Sequence, residues 1–182
     1  MKRVVLLGDS IRMGYGKVVP ELLKDEYEVW QPEDNCRFSS YTLRMLFELR
    51  GEIGKADIIH WNNGLWDICQ IFEDGSFTSL EDYIKIMKRI ATKLLAITEK
   101  VIFATTTAVD PRNPYDHNEV IDEYNAAIVP VLKEMGIQIN DLNSLVKPNI
   151  AEYILPDYIH LTDAGIDACG KQVADAIRSI DK

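Results

Sequence analysis

Three residues at opposite ends of the chain have the types that serine-based acyl chemistry needs: Ser10, Asp157 and His160. A serine hydroxyl is a weak nucleophile at neutral pH. It becomes a strong one when a base within hydrogen-bond reach takes its proton and a carboxylate orients that base. Asp157 and His160 lie three residues apart in Pro156-Asp157-Tyr158-Ile159-His160. In a loop, that offset lets the carboxylate accept from one imidazole nitrogen while the other faces outward. Ser10 closes the stretch Gly8-Asp9-Ser10, directly after the apolar run Val4-Val5-Leu6-Leu7. Each residue also has a plainer reading: Ser10 as a helix cap, Asp157 as a turn residue after Pro156, and His160 as a surface or hydrogen-bonded histidine. Their joint placement favours chemistry.

The elements that must position them follow from the apolar pattern. Val4–Leu7 predicts a buried strand, broken at Gly8, with a helix beginning around Ile11-Arg12-Met13. Ser10 then stands at the carboxyl end of a strand and the amino end of a helix. Ligands bind at that edge of an open α/β sheet, and helix-start N–H groups favour a developing negative charge. Further strands are predicted at Tyr27–Trp30, Ile58–Trp61, Val101–Ala104 and Gln138-Ile139. Helices are predicted over Gly14–Lys24, irregular at its start, and over Tyr41–Leu49, with Leu43, Leu46 and Phe47 at core spacing. The clearest helix follows Ser79, which with Asp82 forms a capping box. It carries Tyr83, Met87, Ile90, Leu94 and Ile97 in one stripe. Glu119–Met135, bent at Pro130 and ended by Gly136, is another. A short turn is expected at Leu142–Val146, and Pro148–Thr162 is expected to be loop. The last helix, capped by Thr162, carries Ile166, Cys169, Val173 and Ile177. Strand and helix alternate throughout, which implies about five parallel strands with helices on both faces. The loop before the last helix can return beside the end of the first strand, where Ser10 sits.

The 182 residues suggest a single domain, 1–182. At 47% hydrophobic and 27% charged, the composition is that of an ordinary soluble globular protein. A net charge of -9 argues against nucleic acid or an anionic membrane as partner. Cys36, Cys69 and Cys169 are odd in number and widely spaced, with no metal-ligand spacing among them. A reducing, cytoplasmic setting is the default expectation. Met1-Lys2-Arg3, followed by a short strand and a turn, is not expected to begin a signal peptide, which leaves open a signal already removed, and no stretch approaches the roughly 20 apolar residues that cross a bilayer.

Gly8-Asp9-Ser10-Ile11 near the start and Asp157-x-x-His160 near the end together resemble the SGNH (GDSL-like) hydrolases, over essentially the whole chain. The resemblance implies a flavodoxin-like three-layer α/β/α fold and ester hydrolysis through an acyl-serine intermediate. It gives Ser10 as nucleophile, His160 as general base and then acid, and Asp157 as its orienting partner, with no metal or cofactor. Two further blocks of that family are altered. Where Asn-x-Gly-x-Ser is common, Asn35-Cys36-Arg37-Phe38-Ser39 places Arg37 at the oxyanion-binding Gly position. A backbone N–H survives there, but a conformation with φ > 0 would be strained. Where Gly-x-Asn-Asp is common, Gly64-Leu65-Trp66-Asp67 places Trp66 at the Asn donor position. Its indole N–H is a donor of different reach, and Asn62 or Asn63 could supply an amide instead.

The expected partner is a small ester, with an acetylated carbohydrate as one candidate. A lysophospholipase or thioesterase fits the same residues, with a long apolar groove as its mark. A carbohydrate-binding protein with a degenerate oxyanion hole is the non-catalytic alternative. Asp9 is expected to fix the loop around Ser10. Arg12 could meet an acidic substrate group or form a surface ion pair. His60 reads as a packed core residue and His117 as solvated. Tyr15, Tyr41, Trp61, Trp66 and Tyr158 lie near the motifs, where some could stack on sugar rings and others are core.

Overall fold

The apolar run at the start forms β1 (Lys2–Leu7), whose last four residues are fully buried. The computed structural model describes residues 1–182. After β1 come α1 (Ser10–Tyr15), α2 (Val19–Leu23) and β2 (Tyr27–Trp30). Then follow α3 (Ser39–Glu48), α4 (Arg50–Ile53), β3 (Ile58–Asn62), α5 (Leu65–Ile68), α6 (Leu80–Leu95) and β4 (Val101–Ala104). The chain ends with α7 (Asn118–Glu134), β5 (Gln138–Asn140), α8 (Leu142–Val146), α9 (Ile150–Tyr153) and α10 (Asp163–Ile180).

All neighbouring strands pair in parallel, in the order β2-β1-β3-β4-β5. That is the flavodoxin-like doubly wound order. Helices α3, α6 and α7 pack in sequence on one face, and α1 and α2 pack against α10 on the other. Coverage on both sides explains why Val4–Leu7 and Val101–Ala104 read as unbroken apolar runs, and why the buried His60 and Asn62 of β3 need hydrogen-bond partners. The chain leaves β1 toward β2 and later returns to β3 on the other side, so a crevice opens at the carboxyl ends of β1 and β3, the usual binding position. No helix is long and apolar enough to cross a membrane.

Several expectations need correction. Gly14–Lys24 is two short helices rather than one, because Pro20 falls in the first turn of α2, where its missing N–H is harmless. Pro148–Thr162, expected to be loop, contains α9, and α5 falls where no element was predicted; both are single turns too short to show a period. Phe47 is 57% exposed. Leu46 takes the inward position, and Phe47 lies under the guanidinium groups of Arg44 and Arg50. Ile97 falls beyond the end of α6 and is partly exposed. Ser79 and Asp82 do form the helix start predicted for them, and Thr162 caps α10.

Candidate active site

The turn after β1 is built around a close approach. A Cβ on Gly8 would lie 2.0 Å from Asn62 Oδ1, so no side chain fits there. Asp9 is the helix cap: its Oδ1 accepts from the Ile11 N–H at 2.9 Å. The capping role considered for Ser10 therefore belongs to its neighbour, and the Ser10 hydroxyl is free to face the crevice.

His160 meets it there. Its Nε2 lies 3.0 Å from Ser10 Oγ, across 150 residues of sequence. Its Nδ1 lies 2.8 Å from Asp157 Oδ2. The other carboxylate oxygen of Asp157 accepts from the Ile159 and His160 N–H groups at 3.1 and 3.0 Å. Burial raises the Asp157 pKa, but these three hydrogen bonds and the His160 ring outweigh it, and the net direction is downward. An ionised Asp157 places the imidazole proton on Nδ1 and leaves Nε2 as acceptor for the Ser10 hydroxyl. Tyr158, between them, sits in the left-handed region at φ 73. Its carbonyl accepts from the Asp110 N–H at 3.0 Å, and its ring lies beneath the Arg112 guanidinium at 4.9 Å. These contacts hold a strained backbone next to the histidine.

Behind Ser10 runs a buried hydrogen-bond chain. Gln172 donates to Asn140 Oδ1 at 2.8 Å, and Asn140 Nδ2 meets His60 Nε2 at 3.1 Å. His60 Nδ1 faces Tyr15 OH at 3.4 Å, Tyr15 donates to Asn62 Oδ1, and Asn62 Nδ2 donates to Asp9 Oδ1. Every link points the same way, toward the carboxylate that caps α1. Burial lowers the His60 pKa to about 3, so the ring is neutral and has one donor and one acceptor, as the chain requires. Burial raises the Asp9 pKa, and the bonds from Asn62 and Ile11 oppose it. Arg12 is neither exposed nor free for a substrate, being only 2% exposed. Its guanidinium donates to the carbonyls of Gly8, Pro32 and Asp34 and to Gln31 Oε1. It thus ties the loop after β2 to the Ser10 turn.

Of the four oxyanion candidates, three already donate a hydrogen bond elsewhere. The Arg37 N–H donates to Asn35 Oδ1 at 2.7 Å, in a turn that holds Arg37 at φ 48. Asn62 serves the buried chain just described. Asn63 accepts from the Trp61 indole and donates to the Arg37 carbonyl. Trp66, 42% exposed, is the candidate whose side chain lies on the crevice wall. Among the other aromatics, Tyr15 and Trp61 are core residues unavailable to a sugar.

A pocket of about 270 Å³ opens beside Ser10 and is walled mainly by Phe38, Leu65, Trp66, Ile71, Phe77 and Ile159. Asp116 lies at its edge, with Oδ2 held by Asn113 at 3.2 Å and Oδ1 buried without a partner. Nothing in the sequence around Asp116 marked it. Burial raises its pKa from 3.8 to about 6. Between those values the folded state keeps a proton that the unfolded state has released, so stability falls as pH rises through this window. Asp116→Asn keeps the acceptor for Asn113 and removes the ionisation. Its melting temperature should match wild type near pH 3.5 and exceed it at pH 8, by about 1–2 kcal/mol of stability once solvent screening from the pocket is allowed for. Thermal denaturation at the two pH values is the check.

No protein-family model matches the chain, and no curated protein matches it by sequence. Solved structures do match. A lipase/acylhydrolase from Enterococcus faecalis superposes with a TM-score of 0.81 at 21% identity, over 98% of this chain and 96% of that one. A GDSL-like lipase from Bacteroides thetaiotaomicron gives 0.74 at 20% identity, over 98% and 88%. Axe2, an acetylxylan esterase from Geobacillus stearothermophilus, gives 0.74 at 16% identity, over 97% and 94%. The chain has the fold of the GDSL-like hydrolases.

Within the GDSL-like fold, the two altered blocks remain joined. Asp67 accepts from the Ser39 N–H at 2.8 Å and from its hydroxyl at 2.6 Å, bridging the start of α3 to α5. Burial raises the Asp67 pKa to about 6, and the Ser39 bonds oppose it. The Cβ that Gly64 lacks would lie 1.8 Å from Thr106 Oγ1, so this turn is pressed against the loop after β4. The segments at the altered positions thus keep a fixed relation to Ser10, although the residues that would donate have changed.

Proposed function

We propose that the protein is a serine carboxylic-ester hydrolase with Ser10 as nucleophile, His160 as general base and acid, and Asp157 as the orienting carboxylate. The observation that carries this reading is the pair of contacts at His160, to Ser10 Oγ at 3.0 Å and to Asp157 Oδ2 at 2.8 Å.

Ser10 Oγ attacks the ester carbonyl carbon as its proton passes to His160 Nε2, and the carbonyl oxygen becomes an oxyanion. Collapse breaks the bond to the alkoxy oxygen, which takes the proton from His160 and leaves as alcohol. Water then attacks the acyl-Ser10 carbonyl, giving its proton to Nε2, and collapse returns that proton to Ser10 Oγ with release of the acid. Asp157 stays ionised throughout, fixing the tautomer and stabilising the imidazolium.

The oxyanion is served by the Ser10 N–H, which as the first of its helix has no intrahelical partner, and by the Trp66 indole N–H. Trp66→Phe keeps a ring on the wall and deletes the donor, so kcat should fall by about 10²–10³ with little change in KM. Steady-state kinetics of the variant decides it. A loss below threefold would remove Trp66 from this role.

The reading is tested directly with a fluorophosphonate probe, which forms a bond only with an activated serine. The expected result is a single adduct on the peptide containing Ser10. A chain inert to the probe favours the alternative of a binding protein on an esterase scaffold.

A further inference from the structure

Resting on the ester-hydrolase reading, we infer that the pocket beside Ser10 is an acyl-chain site for an apolar acyl group of medium length, hexanoyl to decanoyl, rather than for acetyl.

The first argument is size. At roughly 30 Å³ per heavy atom, water's share of its liquid volume, a pocket of about 270 Å³ takes on the order of nine heavy atoms. An acetyl group would leave most of it empty. The second is chemistry. Apart from Ser10 and the Trp66 indole N–H, which the oxyanion takes, the polar group on the wall is Asp116, whose Oδ2 is already held by Asn113 and whose Oδ1 is closed off from solvent. A sugar placed there would bury hydroxyls without partners, which is costly, whereas a hydrocarbon chain asks for none. Trp66, Ile71 and Phe77 leave large apolar surfaces exposed at the mouth, and a chain would cover them.

The third argument is direction. His160 must protonate the departing alkoxide, so the alcohol lies on the His160 side of Ser10. The apolar pocket runs from Ser10 toward α5 and the loop carrying Ile71 and Phe77. Along the Asp157 loop lies a separate groove lined by Asp110, Arg112, Ile150, Ile154, Leu155 and Tyr158, whose wall mixes the Asp110–Arg112 ion pair with apolar side chains. The apolar pocket thus lies on the side of Ser10 that the acyl group takes.

The experiment is a kcat/KM series on p-nitrophenyl acetate, butyrate, hexanoate, octanoate, decanoate and dodecanoate, each below its aggregation limit. A methylene buried in an apolar site is worth roughly fourfold. With a partly open mouth, kcat/KM should climb at least about 10-fold from acetate to a maximum between hexanoate and decanoate. Cys69 lines the same pocket. Cys69→Phe fills that space and should lower the octanoate-to-acetate ratio at least about 10-fold. Phe77→Ala, on the exposed rim, should lower the same ratio, and it serves if the filled variant does not fold. Acetate as the best substrate, with turnover lost in Ser10→Ala, would overturn this inference and leave the hydrolase reading standing. A rise with length that neither pocket variant alters would also overturn it. No Ser10-dependent turnover at any length would instead sink the reading beneath it.

Discussion

Ser10→Ala should lower turnover of a nitrophenyl ester by about 10⁴–10⁶-fold and abolish fluorophosphonate labelling, while the protein should melt where wild type does. The size of the loss follows from the chemistry. Without Oγ no acyl intermediate forms, and what remains is the contribution of binding and oxyanion donors, about 10³–10⁴ over water for such sites. The unchanged melting temperature follows from the structure. Asp9 caps α1, and Ser10 makes its side-chain contact with His160 alone. Removing a partly exposed hydroxyl should therefore change stability by no more than about 0.5 kcal/mol. A variant that keeps more than a tenth of wild-type activity would remove Ser10 from the mechanism. One that loses activity and folding together would point back to a structural role.

Asp157→Asn should lower kcat by about 10³–10⁴-fold with KM changed less than threefold. The variant is nearly isosteric, and its amide oxygen can still accept from the Ile159 and His160 N–H groups, so the loop should keep its shape. What changes is the atom facing His160 Nδ1, now 2.8 Å from a carboxylate oxygen. An amide NH₂ there requires Nδ1 to accept, which moves the ring proton to Nε2. The nitrogen facing Ser10 then carries a proton and cannot take another. Circular dichroism and kinetics separate this from a folding defect. Activity within tenfold of wild type would mean that something other than Asp157 orients the ring.

How much of this was legible beforehand varies with the range of the interaction. Val4–Leu7, Ile58–Trp61 and Val101–Ala104 read as buried strands because a parallel sheet covered on both faces favours apolar residues there, His60 being buried with hydrogen-bond partners on both ring nitrogens. Ser79 with Asp82, and Thr162, announced helix starts because capping is a contact over three residues. Asp157 and His160 could be paired for the same reason. Phe47, Ile97 and Arg12 were misplaced because spacing along a helix says which residues share a face but not what comes to cover it.

The sequence by itself determined the alternation of strand and helix, the residue types able to carry acyl chemistry, and their place at the two ends of the chain. These are local properties of composition, period and turn. Tertiary structure alone decided that Asp9 rather than Ser10 caps α1, and that Asn62 and Asn63 are consumed by Asp9, Arg37 and Trp61. It also decided that Arg12 is interior and that an apolar pocket with Asp116 at its edge adjoins the hydroxyl. Each of those outcomes depends on which of several competing donors, acceptors and apolar surfaces arrives first at a given atom. That competition is settled by packing between segments distant in sequence, so no local pattern records it.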